Sequence, residues 1–146
     1  MPPIVRGALC AVTLVLAGCA GQTREDPAAP VAPAPVVADV QRCGERADCT
    51  TKVSRTLLFV FDYAAAGGHL VQRRERLLFT PPDAAPNDWP AIRIRLAEPA
   101  DSRFDFSAEC RVAHCRYGAE ELLRVYRSYL AGEPCSLDGA TACAAD

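Results

Sequence analysis

The chain has 146 residues, 50% of them hydrophobic, with 16 basic and 18 acidic side chains and a net charge of −2. So mild an acidic balance argues against a nucleic-acid partner. The length allows one modest domain with flanking segments.

At the N-terminus, Arg6 precedes an apolar stretch from Ala8 to Ala17 that only Thr13 interrupts. A positive start and a short apolar core form the layout of a secretory signal, and the stretch is shorter than the roughly 20 residues that span a bilayer. It closes on Leu16-Ala17-Gly18-Cys19. This motif resembles the lipobox of bacterial lipoproteins, with Leu three before the Cys and two small residues between. The resemblance implies a signal peptide over 1–18, removed by cleavage before Cys19. It also implies a diacylglyceryl thioether on Cys19 and an acyl group, typically palmitate, on the new amino terminus. One acyl chain binds a membrane only marginally, whereas two or three anchor it firmly. Ala20 stands where an Asp would retain such a protein at the inner membrane. The class rule therefore implies an outer-membrane address, facing the periplasm or, less often, the cell exterior.

Residues 19–42 are expected to form a linker. Four prolines (Pro27, Pro30, Pro33, Pro35) among many alanines, and no aromatic residue, leave too little surface to bury. Pro-rich chain extends about 3.1 Å per residue, so some twenty residues reach about 60 Å from the lipid.

Residues 43–146 are expected to form the globular domain. It holds Cys43, Cys49, Cys110, Cys115, Cys135 and Cys143. An even cysteine count in a small exported domain implies disulfides. Six cysteines allow about 15 connectivities; the clustering into 43/49, 110/115 and 135/143 favours local pairs. No Cys-x-x-Cys pair suits a structural zinc or a haem, so no metal or cofactor is expected.

Within the domain, Val53 to Tyr63 carries apolar residues on both alternating faces and is predicted to be a central strand. Ala64 to Gly68 is predicted to be the turn of a hairpin whose return strand is His69 to Thr80. Pro81 to Pro90 is a loop with the only Trp, Trp89. Ala91 to Ala97 alternates Ile92, Ile94 and Leu96 with Arg93 and Arg95, and Arg103 to Cys110 alternates Phe104, Phe106 and Ala108 with acidic and basic residues. Both are predicted to be half-buried antiparallel strands. Ala119 to Ala131 is predicted to be an amphipathic helix, with Leu122, Leu123, Tyr126, Tyr129 and Leu130 on one face and acids in the first turn. The expected fold is α+β: an antiparallel sheet of about four strands, one C-terminal amphipathic helix, and disulfide staples.

The chain shows no Gly-x-Ser-x-Gly elbow and no Gly-rich phosphate loop. His69 and His114, the two histidines, are expected to be surface or loop residues. No catalytic residue is assigned and no enzymatic activity is expected. The candidate partner surface is Arg74, Arg76, Arg93 and Arg95, sharing an outward sheet face with Trp89 near. Arginine forks with an aromatic suit protein contact. The expected function is a lipid-anchored, non-enzymatic accessory or assembly factor of an envelope complex, similar in role to pilotins. A second candidate is an inhibitor of a hydrolase such as lysozyme, although the Ser-Gly-x-x-Tyr loop of such lipoproteins is absent. An enzyme of unknown type is the third.

Overall fold

The computed structural model describes residues 39–98, 103–137 and 143. The signal peptide, Cys19 and most of the linker lie outside the described residues. The elements run α1 (Arg46–Ala65), β1 (Gln72–Arg74), β2 (Leu77–Phe79), β3 (Ala91–Arg95), β4 (Asp105–Glu109) and α2 (Ala119–Ala131). The four strands form one antiparallel sheet in the order β1-β2-β3-β4. The α+β class and the four-stranded sheet are as expected. A second helix and a different membership of the sheet are not.

Val53 to Tyr63 is helix rather than the predicted central strand. Cys49, Thr56, Phe59 and Tyr63 are the buried positions of α1. Their spacings of seven, three and four residues follow a 3.6-residue period. The strand prediction failed because Leu58 and Phe61 remain 49% and 70% exposed. Apolar side chains left on the solvent side of a helix imitate a strand buried on both faces. Thr50, Thr51, Ser54 and Thr56 also return their hydroxyls to carbonyls four residues back, so these groups are satisfied within α1 itself.

The Gly-Gly pair consequently ends a helix instead of turning a hairpin. Gly67 takes φ 109°, and the Gly68 N–H donates to the Tyr63 carbonyl at 2.9 Å. A Cβ on Gly68 would lie 2.4 Å from a Tyr63 ring carbon. The hairpin expected between 53–63 and 69–80 forms wholly within 72–79, turning at Glu75-Arg76 with Arg74 opposite Leu77. Glu75 adopts φ 52° there.

The strands at 91–95 and 105–109 match expectation, with Ile92 and Ile94 buried and Arg93 and Arg95 exposed. So does the helix at 119–131. Gly132 closes it at φ 90°, its N–H donating to Tyr129 and Ser128 carbonyls. Val125 joins Leu122, Tyr126, Tyr129 and Leu130 on the buried face, while Leu123 is only half-buried.

Both helices contribute to one aromatic core on one side of the sheet. Phe59 of α1 sits 5.2 and 5.4 Å from the rings of Tyr126 and Tyr129 of α2, and 6.1 Å from Phe106 of β4. Leu78, Ile92, Ile94 and Phe104 complete it. Residues 39–42, assigned to the linker by composition, belong to the fold. Gln41 is buried, its amide donates to the Phe104 carbonyl at 2.8 Å, and Arg42 bridges Arg103.

All three disulfides join local pairs: Cys43–Cys49, Cys110–Cys115 and Cys135–Cys143. The first lies in the core at the start of α1. The second closes an exposed loop after β4, and the third ties the segment beyond α2.

Candidate functional site

With the helices on one side, the other side of the sheet faces solvent. The register places Gln72, Phe79, Arg93 and Ser107 in one row across this face, and Arg74, Leu77, Arg95 and Asp105 in the next. Ala91 and Glu109 begin a third. Leu77 and Phe79 are half-buried, whereas Arg74, Arg93 and Arg95 are exposed. The surface includes an open depression of about 470 Å³ bordered by Arg74, Phe79, Arg93 and Glu109. Its size is that of a ligand cleft, but it lies along an open sheet face, a shape suited to a segment of another chain.

Three of the four predicted arginines are thus brought together. Arg76 is not among them. It occupies the hairpin turn, pairs with Glu98 at 3.0 Å and donates to the Leu96 carbonyl at 3.4 Å. A turn residue has no place in the alternation of the strand, so counting by twos from Arg74 misplaced it. Trp89 also leaves the predicted surface. It is 1% exposed, packed edge-on to Tyr63 at 5.2 Å and against Tyr117 at 5.3 Å. Arg116 caps its ring at 5.3 Å. A Pro-rich loop does not keep so large an aromatic in water when a core wall is open to it.

The charges on the sheet face are unevenly matched. Arg95 stands opposite Asp105, but Arg93 stands opposite Phe79 and Ser107, and Arg74 opposite Leu77. Among the described residues, Arg74, Arg93 and Arg95 make no side-chain ion pair or hydrogen bond. Leu77 and Phe79 are the site residues missed in the sequence. The signal was present in Leu77-Leu78-Phe79, three successive apolar residues that must populate both faces of a strand.

The histidines do not join this surface. His69 lies in the loop after α1 but is buried rather than on the surface, and its Nε2 lacks a hydrogen-bond partner among the described residues. His114 is exposed in the loop closed by Cys110–Cys115. Among the described residues no three His, Cys, Asp or Glu side chains converge as a metal site. No described helix is long and apolar enough to cross a membrane. No protein-family model, curated protein or solved structure matches the chain. The fold and the face define a small, disulfide-stapled α+β domain with one sheet surface left uncovered.

Proposed function

We propose that the chain is an outer-membrane-anchored periplasmic lipoprotein, non-enzymatic, that serves as an accessory or assembly factor of an envelope complex through protein contact. The observation carrying the contact is the uncovered sheet face, on which three unpaired arginines surround half-buried Leu77 and Phe79. Arg is enriched at interface hot spots, and apolar surface beside it is the usual core of such a patch. The anchoring rests on Leu16-Ala17-Gly18-Cys19 alone. Acyl chains on Cys19 hold the chain to the membrane, and the Pro-rich segment gives the domain reach across the periplasm. Two measurements test the two halves. Cys19→Ser should abolish labelling by a fatty-acid analogue and leave the chain uncleaved or mislocalised; unchanged labelling rejects the anchor. Crosslinking of the native protein in envelopes, with mass spectrometry of what it captures, should return a defined partner that the Arg74→Gln/Arg93→Gln/Arg95→Gln variant loses.

A second reading, inhibition of a hydrolase such as lysozyme, is favoured by one feature. Cys110–Cys115 closes a short loop whose Ala113 and His114 are exposed, and Arg111 fastens it to the Pro81 carbonyl at 2.9 Å. A stiff loop of this kind suits entry into a cleft. Inhibition of lysozyme by the purified protein, lost in His114→Ala, would favour it over the assembly role.

A further inference from the structure

The outer face of the sheet is arranged as a groove. Leu77 and Phe79 of β2 form its floor; Arg74 of β1 stands on one side and Arg93 and Arg95 of β3 on the other. We infer that this groove seats an acidic amphipathic segment of the partner, its apolar side chains over Leu77 and Phe79 and its carboxylates on the two arginine walls. The inference deepens the protein-contact function proposed above and rests on it.

The dimensions follow from the sheet. Adjacent strands lie about 4.8 Å apart, so the backbones carrying Arg74 and Arg95, two strands apart in one row, stand about 10 Å apart. A helix with its side chains is about 10–12 Å across, which places its two flanks over the two walls. The guanidinium fork meets a carboxylate bidentately, so carboxylates at those flanks are the complementary groups.

Three observations set these arginines apart from a solvated face. First, Arg55, Arg76, Arg103, Arg111, Arg116 and Arg127 are engaged with internal partners, whereas the three groove arginines have none among the described residues. Arg42, Arg46 and Arg124, also without side-chain partners there, stand on separate elements. Second, the free guanidiniums flank apolar side chains that the fold leaves half-buried. Third, the charge reverses across the sheet, because β4 offers Asp105, Ser107 and Glu109 to the same face. A nucleic acid carries a charge about every 1.7 Å, and an anionic bilayer is charged throughout. Either would meet those acids. A segment with its carboxylates confined to two flanks avoids them.

The test uses the full acylated chain in detergent and a synthetic helix-forming peptide with a leucine row flanked on both sides by Glu. Its partners are the same peptide with Gln, or with Lys, in place of Glu, and vesicles of anionic phospholipid. The Glu peptide should bind, more weakly as salt rises, and the Arg74→Gln/Arg93→Gln/Arg95→Gln variant should bind it about tenfold more weakly or worse, without a change in melting temperature. Should that variant fold poorly, Arg93→Glu supplies a second arm: it should lose the Glu peptide and gain the Lys peptide. Equal binding of the Gln peptide overturns the inference. Preference for the anionic vesicles over the peptide overturns it as well, assigning the arginines to a lipid surface. If no peptide binds while the triple variant still loses the crosslinked native partner, the acidic segment is wrong and the protein-contact function stands. If no peptide binds and the variant keeps that partner, both fall.

Discussion

Thr56 and Tyr126 meet hydroxyl to hydroxyl at 3.0 Å, both fully buried, and so join α1 to α2 through a polar contact inside an aromatic core. The Thr56 hydroxyl also donates to the Lys52 carbonyl at 2.8 Å. Its oxygen is then left to accept from Tyr126.

That division makes the two deletions unequal. Tyr126→Phe leaves Thr56 bonded to Lys52 and should cost about 1 kcal/mol. Thr56→Val leaves the Tyr126 hydroxyl buried with no acceptor and should cost about 1–3 kcal/mol. The double variant should cost less than the two added together. Urea unfolding of all four proteins measures the cycle.

The same core predicts an asymmetry along α2. Leu122 is fully buried, and Leu122→Ala should cost about 2–5 kcal/mol. Leu123, half-buried beside it, should cost about 1 kcal/mol in the same substitution. Equal losses at the two positions would mean that the helix is rotated from the orientation described.

The three disulfides should leave essentially no free thiol at these six cysteines when the mature chain is denatured without reductant. Their loops span sequence separations of only six, five and eight residues. In the chain-entropy model each then contributes about 2 kcal/mol. Packing separates them further. Cys43 and Cys49 are 1% and 5% exposed, so replacing that pair by Ala should lower the melting temperature more than replacing the exposed Cys110–Cys115 pair.

Tyrosine ionisation sets an alkaline limit. Burial pushes the Tyr63 hydroxyl up to about 12, against the opposing N–H of His69. Burial raises Tyr126 and Tyr129 as well, with the Asp62 carboxylate adding to the effect on Tyr129, whose hydroxyl donates to it at 2.8 Å. An unfolded tyrosine ionises near pH 10. The folded chain therefore holds these protons more tightly than the unfolded one. Their stabilisation is complete below about pH 10 and is lost progressively above it, that of Tyr63 as pH rises through about 12 and those of Tyr126 and Tyr129 higher still. Tyrosinate absorbance and unfolding should rise together in that window. Ionisation of all tyrosines near pH 10 with the fold intact would contradict the buried arrangement.

The sequence alone determined what depends on local period and on short reach. The helix at 119–131 showed one apolar stripe with acids at its start and glycine at its end. The strands at 91–95 and 105–109 showed clean alternation. The disulfide pairs showed in the clustering of cysteines only five to eight residues apart. Arg93 and Arg95 could be assigned to an outward face for the same reason, because every second residue of a strand points the same way.

Tertiary structure decided the rest. Five successive apolar residues, Leu57 to Phe61, have no unique period, so only packing against α2 selected helix for 53–63 and left Leu58 and Phe61 outside. The turn at Glu75-Arg76 depended on β2 finding β3, and it removed Arg76 from the sheet face. Trp89 went inward because Tyr63, more than twenty residues earlier in the chain, presents a wall for its ring. The groove itself is a relation between three strands. Arg74, Leu77 with Phe79, and Arg93 with Arg95 are separated in the chain by a turn and a Pro-rich loop, and the register of the β1–β2 and β2–β3 pairs brings them onto one face. Side-chain alternation is local physics, but register is set by which strands pair and by the core they cover.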